Sequence, residues 1–224
     1  MSTTTWKTAD QVISAMNRVY GHMALAVVNS MLVSLFVSTS PELMSFFFTG
    51  AMKYVTIFAP LVAVFAVSAS IHNVSYGTAQ LMLHGFAALM GLSFATIFVV
   101  FTLGSIFTAF MGAAVLFGTM SLYGYITKRD LTSVGQFMFV GLIAVIIASV
   151  ANIFIGSSAL QMTISAIAII VFLGLTAYDT QRIREIVSQG GDTGSQEVAG
   201  ALTLYLDFIN LFIHLLQLFG NRNE

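Results

Sequence analysis

The sequence predicts an all-α membrane protein of seven transmembrane helices, and three observations carry that prediction. First, hydrophobic residues make up 58% of the chain and charged residues 8%, with a mean hydropathy of +0.93. A chain of 224 residues with so few charges cannot cover a soluble surface. Second, residues 19–41, 54–127 and 131–178 contain no Asp, Glu, Lys or Arg over 23, 74 and 48 positions. A helix crosses a bilayer in about 20 apolar residues, so these runs hold one, three and two spans. Third, residues 199–219 form a further apolar stretch, with Asp207 inside it, and bring the total to seven.

Taken in order, the expected helices are 21–40, 54–71, 78–101, 104–126, 132–155, 159–181 and 199–219. Polar or glycine-containing breaks separate them: "SIHNVSYGT" after the second, "TLGS" after the third and "IGSS" after the fifth. Pro41 ends the first span, and Pro60 lies inside the second, where it can kink the helix. The short connections leave no linker between domains. The expectation is a polar segment, 1–20, followed by a single seven-helix membrane domain, 21–224. The first apolar segment has no small-residue cleavage site after it and reads as a retained anchor.

With the N-terminus inside, Lys7, Arg18, Lys128, Arg129, Arg182 and Arg184 fall on the cytoplasmic side and only Lys53 and Arg222 outside. That six-to-two asymmetry orients the chain, with the C-terminus outside. The net charge of −1 argues against a nucleic-acid partner. There is no cysteine, and therefore no disulfide or thiolate chemistry. Small residues recur at helical spacing, as in Ser105, Ala109 and Ala113, or Gly85, Ala88 and Gly91. Such rows let helices approach closely in lipid.

Two stretches stand apart. "GLTAYDT" (174–180) and "LYLDFIN" (204–210) each set an aspartate in an apolar run, with no Lys or Arg at helical spacing on its apolar side. A charged residue at the centre of a spanning helix costs about 2.5–3.5 kcal/mol on insertion scales. Asp179 and Asp207 are equidistant from residue 193, in the polar connection 188–197, so a hairpin folded there brings them to similar depth. Two carboxyl groups close together in low dielectric share one proton, because they cannot both ionise easily. They also offer oxygen ligands for a weak, transient calcium site.

The seventh span carries a polar stripe, Thr203, Asp207, Asn210, His214 and Gln217, spaced by 4, 3, 4 and 3 residues. Two arrangements accommodate it. Thr203, Asn210 and Gln217 suit an interhelical hydrogen-bond seam, or with His214 they line a cavity or pore. His84, Asn152 and Asn29 read as satisfied packing residues. Paired membrane aspartates also occur in intramembrane proteases, but that class has a "GxGD" where this chain has "LYLD", and no proline follows Pro60 to make its "PAL" motif. The residues therefore do not point to an enzyme, and no tightly bound cofactor is expected.

At these residues the sequence resembles the Bax inhibitor-1 (transmembrane Bax inhibitor motif) family, in its bacterial inner-membrane branch. "MSLYGYITKRDLT", "VFLGLTAYDTQRI" and "GALTLYLDFINLF" carry the likeness, in the right order. The resemblance implies a seven-helix fold with the last helix central and a multi-pass location in the bacterial inner membrane. It also implies a pH-sensitive calcium leak gated by an aspartate pair, which matches Asp179 and Asp207. Some members place a basic residue near the inner end of helix two as an alternative partner for the first aspartate. This chain has "SASIHN" there, with His72 as the nearest substitute. The family also includes proteins that restrain a membrane-bound protease or suppress cell death without conducting ions, so an interaction protein stands as the second functional class.

Overall fold

The computed structural model describes residues 6–189 and 194–223. Among these residues the chain is helical, without strands: α1 (Ala9–Ser38), α2 (Pro41–Phe48), α3 (Met52–Ser70), α4 (Tyr76–Phe94), α5 (Ile97–Val100), α6 (Leu103–Ile126), α7 (Thr132–Ile155), α8 (Ser158–Ser188) and α9 (Gly194–Phe219). A single 3-10 turn, Ile71–Asn73, extends α3, and α5 continues the path of α4. Seven of these segments are long and apolar enough to cross a membrane.

Local chemistry sets the boundaries. Thr8 caps α1 and forms a capping box with Gln11, so this helix starts at Ala9 rather than near 21 and takes in most of the expected polar segment. Pro41 both follows the first span and opens α2, since a proline at a first helical position needs no N–H; the Ser40 hydroxyl accepts from Leu43 N at 3.3 Å. Ser75 and Thr102 cap α4 and α6. Gly156 closes α7 with a φ of 68°, a left-handed conformation that favours glycine. Asp130 Oδ1 accepts from Thr132 N at 2.8 Å at the start of α7, and the hydrogen bonds from Thr132 hold its carboxyl below the usual carboxylate range. Two expected ends move outward: α8 runs to Ser188 rather than 181, and α9 begins at Gly194 rather than 199. Apolar periodicity marks only the part of a helix in lipid, whereas the backbone ladder continues into the polar flanks. The fold of the hairpin at residue 193 lies outside the described residues.

The chain divides into two compact units. One holds the described residues up to Phe101, with Glu185–Tyr205 and Asn223; the other holds Thr102–Arg184 and Leu206–Arg222. In the first, α1 packs on α4. Gly91 leaves room for the Ser30 backbone, and a Cβ there would clash with it. Asn29 Nδ2 donates to His84 O at 2.8 Å, and Ser30 Oγ donates to Ala87 O at 2.7 Å. In the second unit, Gly124 lies against the Ala177 backbone, Gly135 against the Tyr178 ring and Gly174 against Met138. Ala109 and Ala113 are buried, as their spacing predicts, but Gly85 meets nothing within 4 Å and is no packing point.

Burial singles out the last span. In α9, 78% of the best apolar window is buried, against 11% in α7 and 39% in α8, the two extremes among the other spans. Large apolar side chains such as Phe65, Phe137 and Phe154 are exposed on the other helices, as lipid-facing surfaces require. A last helix covered by protein is what the expected central position demands.

Glycine contacts yield a stability test. Gly124→Val should lower the thermal stability of detergent-purified protein by about 1–3 kcal/mol through overpacking against α8. Gly118, also in α6, has open space within 4 Å of the point where a Cβ would stand, so Gly118→Ala should leave stability unchanged or raise it by about 0.5–1 kcal/mol.

Candidate functional site

Asp179 and Asp207 come together in the second unit. Their side chains interact directly, α8 against α9. Asp207 is 4% exposed, and its Oδ2 is buried with no hydrogen-bond partner among the described residues. Asp179 is partly buried, one residue after Tyr178, whose ring occupies the space left by Gly135. A direct hydrogen bond between two carboxyl groups requires a proton on one of them, so the pair is a natural place to hold and release one.

The pair's cation comes from the same helix. Arg182, one turn beyond Asp179, acts electrostatically on its carboxyl and donates through Nη1 to Tyr178 Oη at 3.0 Å. The expectation of aspartates without a basic neighbour on the apolar side is thereby qualified: Arg182 is at the exposed, polar end of α8 and still reaches the pair with its charge. His72, the nearest substitute for a basic residue on the second span, is exposed in the turn after α3.

Packing around the pair is aromatic and close. Phe208, next to Asp207, meets Phe110 and Phe117 of α6 edge-to-face, at ring-centroid distances of 5.3 and 5.8 Å. Ser121 and Thr180 share a hydroxyl hydrogen bond of 3.0 Å. The glycine contact of Gly124 with Ala177 holds α6 tightly to α8 in the same stretch.

The polar stripe of α9 divides into different environments. Thr203 Oγ1 and Asn210 Nδ2 donate to carbonyls of their own helix, Ala199 O at 3.3 Å and Leu206 O at 2.8 Å. His214 Nδ1 lies 3.4 Å from Ser165 Oγ, and its ring stacks on Phe172. Gln217 Oε1 accepts from Ser165 Oγ at 3.0 Å and from Gln161 Nε2 at 2.8 Å, while Gln161 Oε1 accepts from Asn152. The end of the stripe that includes Gln217 is therefore an interhelical seam. Asn152 is the satisfied packing residue its sequence context suggests.

Sequence reasoning missed the polar contacts of the first unit. Arg18 forms a two-bond fork with Glu197. The Tyr205 hydroxyl lies 2.7 Å from Ser30 Oγ, and His22 Nε2 lies 3.0 Å from the Tyr76 hydroxyl. Glu197 falls in what the sequence presents as a polar connection. An acidic residue in the first turn of a helix is the available signal, but it becomes visible only once α9 is seen to start at Gly194.

Seven apolar helices, the last buried and carrying half of an acidic contact, define a multi-pass membrane protein. The chain belongs to the Bax inhibitor family: residues 12–224 match the family described as "Inhibitor of apoptosis-promoting Bax1". It is similar to the inner membrane protein YbhL of Escherichia coli, with 41% identity over 213 residues that cover 92% of this chain and 91% of the relative. A protein of Rickettsia prowazekii is 38% identical over 212 residues, covering 93% of this chain and 90% of its own length. One from Deinococcus radiodurans is 35% identical over 220 residues, covering 97% and 94%. The likeness to YbhL supports an inner-membrane location.

The Ser30–Tyr205 contact gives an asymmetric prediction. Tyr205→Phe leaves Ser30 Oγ bonded to Ala87 O and Ala26 O, so it should cost about 0.5–1.5 kcal/mol. Ser30→Ala strands a buried phenol and should cost about 1–3 kcal/mol. Equal losses in thermal unfolding of the two variants would contradict this asymmetry.

Proposed function

We propose that this chain is a pH-sensitive leak for calcium or a similar cation, gated by the Asp179–Asp207 pair. The observation that carries this reading is the direct carboxyl contact, with one member buried in the last span. A buried carboxyl pair in a spanning helix is costly, and a functional role accounts for its presence. Membership of the Bax inhibitor family agrees with the resemblance on which the expectation of a calcium leak rests.

In the proposed closed state one proton is shared, and the hydrogen bond ties α8 to α9. Loss of that proton leaves two negative charges that repel, and a divalent cation can bridge them transiently. Two aspartates supply at most four carboxylate oxygens, whereas calcium takes about six to eight ligands. Water must complete the shell, which suits an ion that has to leave as readily as it enters. Arg182 brings a cation to the pair from the polar end of α8. Thr203, Asn210 and His214 line the path or brace it. The basic-residue asymmetry sets the N-terminus in the cytoplasm and the C-terminus outside.

The sign of the pH response follows. The shared proton stabilises the closed state at low pH, and that contribution is lost as pH rises through the titration of the pair. Calcium flux into liposomes containing purified protein should therefore rise with pH. Asp179→Asn and Asp207→Asn should each make flux nearly independent of pH, and the double variant should add little, because the two groups act as one unit. Wild-type pH dependence in either variant would move the sensor elsewhere, with His214 and His84 next in line. No flux from wild-type protein under any condition would favour the second class, an interaction protein that acts on a membrane protease or stress response.

Orientation has its own test. Because the chain has no cysteine, single cysteines can be placed at will. In intact cells a membrane-impermeant maleimide should label Arg222→Cys and spare Lys128→Cys. The reverse pattern would invert the proposed topology.

A further inference from the structure

Within the first unit, α1 and α9 are joined by a charge pair that the leak mechanism does not use. Arg18 Nε and Nη2 each donate to a different oxygen of Glu197, both at 2.7 Å, and Nη1 donates to Ser14 Oγ at 2.9 Å, one turn back on α1. The Glu197 side chain is 3% exposed and that of Arg18 48%. A carboxylate withdrawn from solvent is thus held by a cation that still reaches the surface. Removing the cation from such a pair leaves an uncompensated buried charge, which costs far more than losing a surface ion pair. The planar fork also fixes direction as well as distance, since two parallel bonds to one carboxylate tolerate little sliding.

The same helix carries both acidic sites. Glu197 is in the first turn of α9, and Asp207 follows further along that continuous helix. An axial shift or rotation of α9 against α1 therefore strains or breaks the Arg18 fork, and the same helix carries Asp207 with it. The charged and titratable groups around the fork are His22 on α1 and Tyr76 and His84 on α4. His22 Nδ1 is buried with no partner among the described residues, while its Nε2 faces Tyr76. The charges acting on the aspartate pair are each other's and that of Arg182.

We propose that the Arg18–Glu197 fork is a positioning clamp that holds α9 in its resting place and thereby sets how readily the aspartate pair on that helix releases. The proposal rests on the leak reading above. The clamp favours the closed state, so weakening it shifts opening toward lower pH. Arg18 and Glu197 are positioning residues and touch no ion.

The experiment compares wild type, Arg18→Gln, Arg18→Lys, Glu197→Gln and the charge-reversed pair R18E/E197R in liposomes, reading calcium flux against pH. Arg18→Gln and Glu197→Gln should move the midpoint of the pH response about one unit lower, as a tenfold change in the open population gives for a one-proton response. Arg18→Lys keeps the charge but loses the fork and should shift it by less; the charge-reversed pair should return it toward wild type. General destabilisation would instead raise or abolish flux at every pH without moving the midpoint. Hydrogen exchange of the α9 amides at 194–205 supplies a readout that needs no channel: it should rise about tenfold in Arg18→Gln and less in Arg18→Lys. Unchanged exchange, or a wild-type midpoint in both Gln variants, overturns the clamp. Wild-type flux without pH dependence overturns the gating role of the aspartate pair, and with it the clamp's role in gating, whatever the exchange shows.

Discussion

Water is scarce inside a bilayer, so each polar side chain on α9 must be answered by another protein group. The structure meets that constraint pair by pair. Glu197 is answered by Arg18 and Tyr205 by Ser30 in the first unit; His214 and Gln217 are answered by Ser165 and Gln161 in the second. Thr203 and Asn210 turn to their own backbone. Among these described residues, Asp207 is the one acid answered by another acid. Acid facing acid is a pairing whose strength depends on a mobile proton.

These contacts demand close helices, and hydrophobic burial cannot supply the force, because lipid is as apolar as leucine. Small residues supply it instead. Gly91 admits the Ser30 backbone, and that approach brings the Ser30 hydroxyl to Ala87 O and Tyr205. Gly124 and Gly135 do the same for α8 beside Asp179. Individual hydrogen bonds within membranes average only about 0.6 kcal/mol. Their value here is directional: they fix rotation about helix axes that featureless apolar surfaces leave undetermined.

Much of this is legible in the sequence. The uncharged runs reveal six of the seven spans, because lipid disfavours charge, and the apolar stretch 199–219 reveals the seventh despite Asp207. The equal offset of Asp179 and Asp207 from residue 193 anticipates their meeting, and the 4-3-4-3 spacing anticipates a buried stripe on α9. Other features are hidden for physical reasons. The start of α1 is set by the Thr8 capping box, and both α1 and α9 run through polar segments where hydropathy falls silent. Arg182 escapes notice because it belongs to the polar end of α8, whereas the cost of a bare aspartate directs attention to the apolar side. Arg18 and Glu197 are separated by most of the chain, and nothing local to either residue announces the other. The short α2 is hidden because Pro41 reads as the end of α1, although it also opens the next helix.

The heavy burial of α9 also bears on biogenesis. This helix follows α1 and α8 in the chain, yet Arg18, Ser30, Ser165 and Gln161 find partners on it. Until α9 inserts, those groups lack the bonds that this helix supplies. A chain stalled before residue 194 therefore leaves buried polar groups short of partners, at a cost in free energy. Insertion of α9 removes that cost by supplying the missing partners.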